Sequence, residues 1–150
     1  VYRRISRSKK RQWGLSYAVW YSVFQPKPHN QFILPYSAQS PITKDIRDFN
    51  TVDDIWDEVK NVANADESKR SIGQNLWYLI PLFANPVYLL SDYYTNLINE
   101  YFYITEYNIP LAKNLDDADA LKLEYFTIIK NEIQSAIRHK EIKDGSRRKN

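Results

Sequence analysis

A chain of 150 residues, 43% of them hydrophobic and 26% charged, has the size and composition of one folded domain, which excludes a disordered chain. With no cysteine and only His29 and His139, the chain lacks the material for disulfides, thiolate metal sites and histidine-based catalysis. The net charge of +3 gathers in a basic arm (Arg3, Arg4, Arg7, Lys9, Lys10, Arg11) and a basic tail (Lys140, Lys143, Arg147, Arg148, Lys149), which suits contact with polyanions or simple solvation.

These features divide the chain into a basic flexible arm at 1–11, a single globular domain at 12–143 and a basic tail at 144–150. Methionine is absent even at position 1, as in a processed, trimmed or partial product. No secretory signal with an apolar core is visible at the start.

After the arm, aromatic and β-branched residues dominate Tyr17 to Phe24, and Pro26 and Pro28 follow. A first strand is expected at 17–24, with Tyr17, Val19, Tyr21 and Val23 on one face. Four prolines (Pro26, Pro28, Pro35, Pro41) make 25–45 a segment that resists regular structure. Within it Phe32, Ile33, Leu34 and Tyr36 fit recognition, a short strand or an anchor in the core. Next, Val52, Ile55, Trp56, Val59, Val62 and Ala63 share one helical face, so a helix is expected at about 52–63. Thr51 is placed to cap it, and Asp53 and Asp54 suit the positive end of its dipole.

Residues 71–91 are uncharged and long enough to span a bilayer, but Gln74, Asn75, Asn85, Pro81 and Pro86 argue against a lipid-facing helix. Leu76 to Phe83 reads as an extended or edge strand because Pro81 lies inside it. From Val87 to Tyr103 the apolar positions fit a helix, yet Tyr101 to Ile104 look like a strand, and a loop followed by a strand is the expectation. The last element is periodic: Leu121, Tyr125, Ile128, Ile129, Ile133, Ala136 and Ile137 line one face of a helix at about 118–142, with Asp116, Asp117 and Asp119 before it and Lys and Arg at its end.

Three glycines do not build a phosphate-cradling loop, and the acids around Asp53 to Glu58 are explained by a helix start. No enzyme, cofactor or metal is expected. Four Trp, twelve Tyr and six Phe give rings enough to fill a core and to clamp a planar base.

The order of these segments resembles the translation initiation factor 4E family, which binds the messenger RNA cap. The residues that carry the likeness are Tyr17-Ala18-Val19-Trp20-Tyr21, the proline-rich loop, Ile46, Phe49, Thr51-Val52-Asp53-Asp54-Ile55-Trp56, Leu82-Phe83, Pro86-Val87-Tyr88 and the long helix, over about 12–137. The resemblance implies an α+β fold: a curved antiparallel sheet with two main helices, about 52–63 and 118–142, packed on the convex face. It places base-stacking rings at Tyr36 and Tyr88, with Asp92 as the base-edge acceptor, because the family's glutamate position holds Leu89. The family's phosphate-contacting arginine position likewise holds Tyr101.

On the back face the resemblance implies that Val52, Trp56, Leu123 and Thr127 bind a helical motif of a scaffold protein such as factor 4G. The function so implied is cytoplasmic cap binding in translation. The alternatives are a non-catalytic structural subunit of a larger assembly that has lost cap binding, and a membrane-associated subunit spanning 71–91.

Overall fold

Eight consecutive residues, Trp13 to Trp20, are buried at the centre of helix α1 (Arg7–Phe24). In the computed structural model, which describes residues 5–27, 30–65, 70–110 and 119–148, this helix packs against three of the later helices. Ser6 caps it, its side chain accepting the Lys9 N–H at 3.2 Å. Gln25 ends it in the left-handed region (φ 44°), and Pro26 follows, unable to continue the helix. The strand expected at 17–24 is therefore a helix. Trp13 and Tyr17 enter one core cluster while Leu15, Ala18 and Val19 enter another, so both sides of α1 are apolar. A helix buried all round shows no polar stripe, and its aromatic run imitates a strand.

Two four-residue strands, β1 (Tyr36–Gln39) and β2 (Ile46–Phe49), pair antiparallel with Tyr36 opposite Phe49. They are the whole sheet among the described residues, which corrects the expected α+β fold with its curved sheet and convex-face helices. Five α-helices dominate the described residues instead. The other two expected strands are also helical. Leu76 to Phe83 falls in α3 (Ile72–Leu79) and a 3₁₀ turn at Ile80–Leu82, where Pro81 opens the turn rather than an edge strand. Tyr101 to Ile104 lies inside α4 (Asp92–Tyr107), whose end is set by Asn108 at φ 52°.

The helix at α2 (Val52–Asn64) follows the predicted span closely, with Ile55, Trp56, Val59 and Val62 buried. Its first turn is held by the Asp54 carboxylate, which accepts the N–H groups of Asn50 (2.9 Å) and Thr51 (3.0 Å). Those bonds hold the Asp54 pKa below the ordinary carboxylate value. Helix α5 (Ala120–Arg148) starts near the predicted position and runs farther. It packs most extensively on α1, placing Tyr125, Phe126 and Ile129 against Leu15, Ala18 and Val19.

The uncharged run at 71–91 is divided between α3, two 3₁₀ turns (Ile80–Leu82 and Pro86–Tyr88) and their connections. No helix among the described residues is long and apolar enough to cross a membrane. Of the basic arm, Arg7 to Arg11 form the first turns of α1. Arg3, Arg4, Pro28, His29, Asp116, Asp117 and Lys149 lie outside the described residues.

Candidate interaction site

Tyr36 and Tyr88 occupy one neighbourhood, and the hydroxyl of each is bonded to backbone. Tyr36 donates to the Phe83 carbonyl at 2.7 Å, and Tyr88 accepts the Leu34 N–H at 3.1 Å. The Tyr36 ring stacks on Phe49 (5.0 Å, 22°) and meets Phe32 at 5.3 Å, while Phe49 in turn stacks on Phe83. This is a packed row of rings. Burial, with a smaller contribution from Tyr88, pushes the Tyr36 phenol up to about 12. Asp92 is exposed as the first residue of α4, where its charge favours the helix N-terminus. Leu89 is buried.

Of the four back-face residues only Trp56 belongs to a core cluster. Trp56 is only 7% exposed and belongs to the first cluster, with the Lys10 ammonium 5.3 Å from its ring centre. Val52, one helical turn before it, is exposed. Leu123 and Thr127 lie on α5, whose Tyr125 and Phe126 belong to the second cluster. The Thr127 hydroxyl donates back to the Leu123 carbonyl at 2.9 Å. An indole this deeply buried presents little surface to a partner helix.

Two buried carboxylates have structural partners. Glu58 is fully buried and receives the Ser40 hydroxyl, the Arg47 guanidinium and the Asn61 amide. Glu132 accepts the Gly73 N–H at 2.9 Å. Near it, His139 sits among Trp20, Phe24 and Tyr78, with Nε2 2.8 Å from the Tyr78 hydroxyl. No group of acids, histidines or cysteines able to hold a metal ion occurs among the described residues.

Exposed aromatic surface concentrates on α4. Tyr101 turns inward to meet Phe126 edge to face at 5.7 Å, whereas its neighbours Phe102 and Tyr103 face solvent. Tyr103 and Tyr107 are each 62% exposed, and their rings lie nearly parallel (15°) with centres 6.2 Å apart. One helical turn separates them, so their stacking follows from the α4 backbone. Two open grooves flank Tyr103, one bordered by Asn99, Glu106 and Tyr107, the other by Asn96, Ile109 and Lys122. α4 carries three acids (Asp92, Glu100, Glu106) and no lysine or arginine. Glu100 is paired with Lys122 at 2.7 Å, which leaves Asp92 and Glu106 to set the charge of the outer face.

Comparison with protein-family models, curated proteins and solved structures found no match. The concave sheet face on which the resemblance would seat a cap is not built by these two short strands.

Proposed function

We propose that this chain is a non-catalytic, partner-binding subunit that receives a basic helical segment of another protein on the outer face of α4. The observation that carries this reading is the stacked, solvent-facing pair Tyr103 and Tyr107 on a helix with acids and no bases. Large rings facing water are expensive to leave uncovered, and tyrosine is among the residues that dominate binding energy where partners meet. The adjoining grooves offer room for apolar side chains of the partner, and the acids select a basic one. Nucleic acid is the weaker fit here, because phosphates would meet Asp92 and Glu106 without a basic residue of α4 to neutralise them.

The test is an NMR titration of the full chain with a synthetic amphipathic helix made of leucine and lysine, beside an analogue in which glutamate replaces lysine. Shifts confined to α4, weakened by salt and reduced at least about tenfold in affinity in the double variant Tyr103→Ser/Tyr107→Ser, are the expected result. Equal binding of the acidic analogue, or shifts that avoid α4, would overturn the proposal.

A further inference from the structure

Past His139, helix α5 leaves the core. Ala136 is buried and His139 half-buried, and every residue from Lys140 to Ser146 is exposed except the half-buried Gly145. Helical turns standing in water draw little stability from their own hydrogen bonds, so a stretch of this kind gains from being covered. It is basic: from Ile137 to Lys149 the sequence holds six Lys and Arg against Glu141 and Asp144. Ile142 is 64% exposed among them, and neither Lys140 nor Lys143 is in an ion pair among the described residues.

A basic helix with an exposed apolar side chain is what the outer face of α4 suits. The other basic stretch of the chain is already engaged, since in α1 Lys10 pairs with Asp53 at 3.3 Å and Arg11 lies over the Tyr93 ring at 5.0 Å. Within one molecule the end of α5 and the outer face of α4 are kept apart. α4 meets the start of α5, with Glu100 on Lys122 and Tyr101 on Phe126, whereas Lys143 lies farther along the same helix, a run from Lys122 that covers about 32 Å. A continuous helix does not fold back on itself, so its basic end reaches an α4 face only in another molecule.

We infer that a second copy of this chain supplies the helix: the Lys140 to Ser146 turns of one copy dock on α4 of the next, with Ile142 in the groove bordered by Phe102, Tyr103, Glu106 and Tyr107 and its flanking lysines toward Glu106. The inference rests on the reading of α4 given above and names the partner. Opposite charges steer the two surfaces together, and the exposed rings supply the apolar area to be covered. Donor and acceptor are different surfaces, so the contact is heterologous.

Sedimentation equilibrium of the full chain tests it. Self-association is expected between about 10 μM and about 1 mM at low salt, weakened about tenfold or more when NaCl rises from about 50 mM to about 500 mM. Lys140→Glu/Lys143→Glu alters only the donor and Tyr103→Ser/Tyr107→Ser only the acceptor, and each is expected to weaken self-association about tenfold or more. Their equimolar mixture is expected to regain pairing, because it combines one intact acceptor with one intact donor, and that recovery shows both variants to be folded. A chain that stays monomeric throughout, or a mixture no more associated than its components, would overturn the inference. The leucine and lysine helix separates this from the reading of α4: shifts on α4 in a chain that stays monomeric reject the second copy alone, and absence of both rejects the α4 face as well.

Discussion

The Glu132 carboxylate of α5 accepts the Gly73 N–H in the first turn of α3 at 2.9 Å, so a side chain from the last helix caps one in the middle of the chain. Free N–H groups and the positive dipole end favour an anion there. Contact is close because residue 73 has no side chain: a Cβ would lie 2.0 Å from the Glu132 carboxylate oxygen and 2.6 Å from the Trp20 ring.

Gly73→Ala is therefore expected to destabilise the fold by about 3 kcal/mol, since both obstructing groups are buried and Trp20 is locked between helices. Gly145→Ala is the control. A Cβ there meets nothing within 4 Å, so alanine in α5 is expected to stabilise by about 0.5–1 kcal/mol. Urea denaturation of both variants measures the contrast.

The acid itself gives a pH signature. Burial raises the Glu132 pKa, and the Ser71 and Gly73 hydrogen bonds only partly oppose that rise. The folded chain thus holds this proton more tightly than the unfolded one. Its contribution to stability is full below the ordinary glutamate range and is lost as pH rises through the raised folded value. Glu132→Gln is expected to remove that decline when urea midpoints are compared from about pH 4 to about pH 8.

His139 runs the opposite way. Burial, then the charges of Lys143 and Arg70, depress its pKa below the ordinary histidine value. Its stability contribution is present above the ordinary histidine range and is lost as pH falls through the depressed folded value. An imidazole NMR titration is expected to give a midpoint below about 6.5, moving upward in Lys143→Gln.

Two tyrosines separate a satisfied hydroxyl from an unsatisfied one. Tyr36→Phe deletes the 2.7 Å bond to the Phe83 carbonyl and is expected to cost about 1 kcal/mol. Tyr17→Phe removes a buried hydroxyl that has no partner among the described residues and is expected to stabilise by about 1 kcal/mol. Thermal midpoints that shift in the same direction would contradict this assignment of partners.

Helices α2 and α5 are legible because each is wet along part of its circumference: in α2 Asp53, Asn61 and Asn64 alternate with Ile55, Val59 and Val62, and the 3.6-residue period survives. α1 was not legible, because Trp13 to Trp20 meet protein on all sides and a pattern needs a polar side to be seen. In α4 the difficulty was reversed. Phe102, Tyr103 and Tyr107 put rings where a helix usually shows polar groups, so 101–104 looked like a strand. The same inversion hid the exposed aromatic face of α4, since periodicity assigns a large ring to the core by default. The contact between the Tyr17 ring of α1 and the Trp77 ring of α3, 6.2 Å between centres, joins distant segments, and no local pattern reports such a meeting.

Seating α1 against α5 has a consequence for how the protein is made. Val19 is synthesised well before Ile129, yet they share one core cluster. During translation α1 must wait, its indoles and phenols open to chaperones or to neighbouring nascent chains, until α5 has emerged. Ribosome-bound intermediates that stop before α5 are thus the species most exposed to aggregation.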